Sequence, residues 1–248
     1  MTLEQDGYAV FDTDRRVARW ATAAERAARR VADDPDMRAA NLRHGETWFV
    51  GVDALPNGPE GEVDDVPLAG PWQDHVPSLA MHSAQLSIIY PGYPRRDPGQ
   101  SEANHRYRIT RAAAHVDGLL PEGPARRRYA REFHAYILGL PLNPVAAAPT
   151  VVWPGSHRIM QTALREAIGN EPVDKVDLTD AYHGARRAVF ATCDPVPIVA
   201  GPGQSFLIHR FALHGTAPWD GPATGGRMIA FFRPEFNDPQ DWLAWDAA

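Results

Sequence analysis

The stretch QSFLIHRFALHGTAPWDGPATGGRMIAFFRPEF, residues 204–236, decides the fold. It contains two apolar runs, 204–210 and 227–236, both too short for ordinary helices and separated by Pro and Gly. Such runs read as strands joined by turns. Outward from this stretch the same texture repeats. QLSIIY (85–90), RITRAAAHVD (108–117), EFHAYILGL (132–140), TVVW (150–153) and PVPIVA (195–200) predict further strands. Helical spacing is confined to a few places. Val17, Trp20, Ala21, Ala24, Ala28 and Val31 predict a helix over 13–34, and residues 157–170 predict a second, closed by Gly169. A third piece lies near 179–190, and Ser156 is the expected N-cap of the second. Residues 53–79, rich in Pro, Gly and acid, read as a long surface connection. The sum is a mainly β chain with flanking helices, a sandwich or barrel. We expect one domain over 1–248, with a helical N-terminal part at about 1–50 and a barrel at about 84–236.

Composition narrows the functions. The chain has 248 residues, 44% hydrophobic and 23% charged, a globular balance. Its net charge of −6 argues against nucleic acid as a partner, because phosphate binding needs a basic surface. No apolar run reaches the roughly 18 to 20 residues of a membrane span. MTLEQDGYAV lacks the basic and apolar regions of a signal peptide, so a cytoplasmic protein is expected. Cys193 is the only cysteine, which excludes an internal disulfide and a cysteine-based zinc site. Lys175 is the only lysine among 25 basic residues, so a cation that meets an anionic group is an arginine.

Chemistry enters at AAAHVDGLL (112–120). His115 and Asp117 are two apart, and on a strand they face the same way. An imidazole and a carboxylate on one face make two-thirds of a 2-His-1-carboxylate triad, the set that suits iron(II) while leaving positions open. Either His209 or His214 can supply the third ligand. Arg227 opens an apolar strand and needs an anionic partner, either an internal acid or the carboxylate of a ligand.

The ordered elements DGYAV (6–10), His115-Val-Asp117, WPGSHR (153–158), FLIHRFALHGTAP (206–218) and Arg227 resemble the phytanoyl-CoA dioxygenase family of iron(II)/2-oxoglutarate oxygenases. The resemblance covers roughly 5–10 and 85–236. It implies a double-stranded β-helix, a jelly-roll barrel of cupin-like form. It selects His214 as the distal ligand over His209, so that His115, Asp117 and His214 hold iron(II). Arg227 is implied to hold the far carboxylate of the cosubstrate 2-oxoglutarate, with Thr216 or Thr110 adding a hydrogen bond. The implied reaction takes dioxygen and a small organic substrate and releases succinate and CO2. Three positions bear on how far the pattern carries. Gly203-Gln204 stands where the family often has Gly-Asp, and Thr216 replaces the commoner Ser. Asp117 is retained, whereas halogenating relatives have a small residue there, so hydroxylation or desaturation is the expected outcome. Arg95, Arg96 and His105 are candidate substrate-loop residues; Trp153, Phe206 and Phe231 are candidate pocket walls. Two alternatives stand beside this reading: a metal-binding barrel acting as a small-molecule sensor, and a cupin-like enzyme that does not use 2-oxoglutarate.

Overall fold

The computed structural model describes residues 1–222 and 225–244; of the expected domain, 223–224 and 245–248 lie outside the described residues. Seven strands form the larger sheet: β1 (Tyr8–Phe11), β2 (Leu42–Arg43), β3 (Trp48–Gly51), β4 (Gln85–Ile89), β7 (Tyr136–Pro141), β10 (Ser205–His209) and β12 (Arg227–Phe232). They are ordered β1-β10-β7-β12-β4-β3-β2, and every neighbouring pair is antiparallel. A smaller sheet sets β11 (His214–Thr216) beside β8 (Thr150–Val152) and β9 (Val196–Ile198). A separate hairpin pairs β5 (Leu119–Glu122) with β6 (Arg127–Ala130). This is the jelly roll expected from the sequence.

Alternation along β12 shows how the layers form. Met228, Ala230 and Phe232 face outward into a core shared with α2 (Arg15–Asp33), while Ile229 and Phe231 face inward with Ile137, Phe206 and Ile208. Helix α2 is capped by Asp14, whose carboxylate accepts from the Arg16 N–H at 2.7 Å. Its buried stripe is mostly alanine, Ala21, Ala24, Ala27 and Ala28, which brings the helix backbone close to the sheet. Trp20 fills the remaining space against Phe232, and its indole donates to the Gly61 carbonyl at 2.7 Å. That bond ties the 53–79 segment to the core. The segment is irregular, as predicted, yet it is not merely a surface connection, since Leu55, Val63 and Trp72 are buried in the same cluster.

The other helices are α1 (Leu3–Asp6), α3 (Pro35–Asn41), α4 (Glu102–Arg111), α5 (Ser156–Ile168), α6 (Thr179–Thr192) and α7 (Asp241–Ala244). Two expectations change here. The segment 108–117 is not a strand: its first residues belong to α4, capped by Ser101, whose hydroxyl accepts from Asn104 N–H. The alternation R-I-T-R fits a short charged helix equally well, and the cap decides. Ala112 and Ala113 then take positive φ values of 50° and 51° and end the helix abruptly. Ser156 also differs: it is the first residue of α5, not its cap, and its hydroxyl accepts from Leu213 N–H at 2.9 Å.

Candidate metal centre

The left-handed exit from α4 drops His115 beside β11. The two histidine backbones exchange hydrogen bonds, His115 N–H to His214 O at 2.8 Å and His214 N–H to His115 O at 3.0 Å. This isolated bridge places the rings 4.7 Å apart between centroids. Gly215 permits the approach, since a Cβ there would lie 2.1 Å from the Ala112 carbonyl oxygen.

Each imidazole is oriented by its own segment. His115 Nδ1 lies 3.0 Å from Ala113 O, and His214 Nδ1 lies 3.0 Å from Ala212 O. A carbonyl only accepts, so Nδ1 carries the proton and the neutral ring keeps its lone pair on Nε2. Both Nε2 atoms point at Asp117, at 3.1 Å from Oδ1 for His115 and 3.7 Å from Oδ2 for His214. One ligand atom from each of the three lies within 4.8 Å of the others, the single such group among the described residues. Burial would raise the Asp117 carboxyl, but the Arg233 guanidinium beside it holds it well below the ordinary carboxylate range. The site therefore offers two bare nitrogens and an ionised carboxylate, a donor set suited to a divalent ion of intermediate softness.

These residues open into a cavity of about 460 Å³ between the sheets, with Trp48, Ser87, Thr150, Thr216 and Phe231 among its walls. Behind Thr150 lies Arg227, 3% exposed, on the inward face of β12. Its Nη1 reaches Thr150 Oγ1 at 3.4 Å, while Nε and Nη2 have no hydrogen-bond partner. Burial brings its guanidinium down to about 10, with Tyr93 pulling the other way. Besides Asp117, three walls carry acid, Asp53, Glu132 and Glu235, and Glu132 is kept ionised by the adjacent His134.

The remaining candidates sort cleanly. His209 is buried away from the triad, its Nδ1 accepting from Phe211 N–H and its ring 5.0 Å from His157. Of the two histidines, His214 is the one that lies with His115 and Asp117. Thr216 lines the cavity. Thr110 does not: it is exposed on α4 and donates to Arg106 O at 2.8 Å, because the segment is helical. Arg95 and Arg96 are exposed, and neither they nor His105 is among the cavity walls. Phe231 is a wall, whereas Phe206 and Trp153 are core. Arg233, which no sequence motif singles out, lies in the cavity against Asp117. The available signal was parity: residues 227 and 233 differ by an even number along one strand.

No family model matches the chain, and no curated protein is found as a relative. Solved structures do match in shape. The nonhaem alpha-ketoglutarate-dependent carbocyclase SnoK from nogalamycin biosynthesis aligns with a TM-score of 0.55 at 15% identity, over 95% of this chain and 85% of its own. EctD from S. alaskensis, solved with 2-oxoglutarate and 5-hydroxyectoine, gives 0.48 at 17% identity, over 93% and 72%. HygX from Streptomyces hygroscopicus, with nickel and 2-oxoglutarate bound, gives 0.44 at 15% identity, over 94% and 85%. At these identities the likeness speaks for shape alone, and SnoK carries it: this chain is a jelly-roll, cupin-like double-stranded β-helix.

Proposed function

We propose that the protein is a 2-oxoglutarate-dependent nonhaem iron dioxygenase, of the type the phytanoyl-CoA dioxygenase resemblance suggests, hydroxylating a small organic molecule. The observation that carries this reading is Arg227. A buried guanidinium with two unpartnered donors is costly, and a carboxylate brought by a ligand would satisfy it in bidentate fashion. It lies behind a wall of the cavity that holds the triad. An enzyme using the metal without 2-oxoglutarate has no need of that cation. SnoK, the carbocyclase most similar in shape among those compared above, depends on alpha-ketoglutarate.

In this reading His115, Asp117 and His214 hold iron(II), and Arg227 with Thr150 and Thr216 receives 2-oxoglutarate. Iron and cosubstrate, when bound, supply the activation of dioxygen and the oxidation of a C–H bond, with release of succinate and CO2. The chain contributes position and dryness. The carbonyls of Ala113 and Ala212 fix both imidazoles in the ligand tautomer. Phe231 and Ile137 give the cavity apolar walls that limit water near the triad. Asp117 fills the position that must be vacated for a halide to bind, which favours hydroxylation. Oxygenase chemistry of this kind couples succinate release to substrate turnover.

Anaerobic addition of iron(II) and 2-oxoglutarate to metal-free protein tests the assignment. The visible charge-transfer band of the chelate is expected, and Arg227→Ala is expected to weaken it without loss of iron binding. Iron binding with no band at all would refute the 2-oxoglutarate step and favour the metal-binding barrel.

A further inference from the structure

Arg227, which opens β12, and Arg233, which directly follows it, face the same interior, and they are in opposite states. Arg227 has free donors. Arg233 is held at two points: Nε donates to Asp117 Oδ2 at 2.6 Å, and Nη1 donates to Gln85 Oε1 at 2.6 Å. The guanidinium also lies over the Phe231 ring, 5.4 Å from its centroid. Both partners are largely sheltered, with side-chain exposures of 18% for Arg233 and 14% for Asp117.

We propose that Arg233 is a positioning residue for the metal centre, holding Asp117 Oδ2 so that Oδ1 alone is offered to the ion. The inference rests on the reading of His115, Asp117 and His214 as metal ligands. An ordinary structural ion pair between Arg and a carboxylate tends to use both forks of the guanidinium on both oxygens. Here one donor meets one oxygen, and a second is spent on Gln85, which fixes the plane of the guanidinium. Asp117 Oδ1 is left facing His115 Nε2 at 3.1 Å, while His214 Nε2 stands farther off, 3.7 Å from Oδ2. A carboxylate held by one oxygen binds a cation through the other and occupies a single coordination position. Left free, it could turn and chelate through both, closing a position that a cosubstrate or dioxygen needs. Outer partners of this sort orient metal ligands, and their loss costs about 10- to 100-fold in affinity.

Mn(II) binding to the metal-free full chain, followed by electron paramagnetic resonance, separates the possibilities. Arg233→Gln is expected to weaken Mn(II) by about 10- to 100-fold. Arg233→Lys, which keeps the charge but cannot hold Asp117 and Gln85 together, is expected to fall between Gln and wild type. Asp117→Ala is the control for the underlying reading. If it binds Mn(II) as tightly as wild type, the ligand assignment itself fails. If Asp117→Ala loses the ion while Arg233→Gln and Arg233→Lys bind as well as wild type or better, Arg233 only parks against an empty carboxylate and the inference falls. Should Arg233→Gln not fold, Arg233→Lys alone decides, since wild-type affinity in it refutes the two-anchor hold. A merely structural arginine would lower the melting temperature of the metal-free protein without changing the Mn(II) spectrum of the bound ion. The positioning role predicts that the spectrum changes.

Discussion

Arg227 is a single residue whose cost and use can be measured apart. Without an anion it is a buried charge with unpartnered donors, a situation that apolar replacement relieves. Arg227→Met is therefore expected to leave the metal-free protein as stable as wild type or more stable, by up to about 1–4 kcal/mol in urea titration. The same variant should raise the 2-oxoglutarate concentration needed for half-maximal charge-transfer absorbance by about 10- to 100-fold, the worth of one or two charge-assisted hydrogen bonds. A destabilised variant with unchanged cosubstrate demand would make Arg227 part of an internal ion pair. At this scale the sequence was informative wherever chemistry follows from residue type and order. The two-residue spacing singled out His115 and Asp117 as candidates, and the two do lie together, although the segment is an isolated bridge running into a turn and not a strand. His214 could not be separated from His209 by local pattern, because both follow apolar residues near a turn. The tautomers, fixed by Ala113 and Ala212, were illegible because any residue can offer a carbonyl.

Among the elements, the meeting of the α4 exit with β11 is the most demanding. Gly215 has no room for a methyl group beside the Ala112 carbonyl, and Thr216 N–H donates to that same oxygen at 2.9 Å. Gly215→Ala must push the two segments apart. The expected cost is about 1–3 kcal/mol in unfolding free energy, with a larger relative loss of Mn(II) affinity because His115 moves against His214. Unaltered metal affinity would show that the bridge does not set the ligand geometry. Strands β4, β8, β9, β10 and β12 lie within segments legible from apolar runs and turn residues, and β7 runs one residue past its own. The hairpin of β5 and β6 was not, since its charged PEGPARRR reads as a turn and its pairing depends on contacts made only after folding. Helix α4 was masked for a similar reason: its weakly apolar face lacks a clear period, and only Ser101 marks its start.

Taken whole, the molecule buries several histidines that resist protonation. Burial lowers His209 well below its ordinary range and also lowers His157, while His44 falls to about 4 through burial and the neighbouring Arg108. In the unfolded chain each returns to about 6.5. The unfolded state therefore binds more protons below that value, and the stability these groups contribute is present above about pH 6.5 and lost as pH falls. For His44 the loss runs down to about 4. The melting temperature of the metal-free protein is expected to drop between pH 7 and 5, before most carboxylates titrate. His209→Asn should flatten that drop; an equal drop in the variant would place the sensitivity elsewhere. Arg227 opens β12 and Arg233 directly follows it, six residues away and on the same face. That strand works as a ruler. One inserted residue would turn one of the two cations outward, and two would restore its direction but displace it by about 6–7 Å. Length can therefore drift in the outer loops of this barrel, while the interval from 227 to 233 tolerates neither gain nor loss.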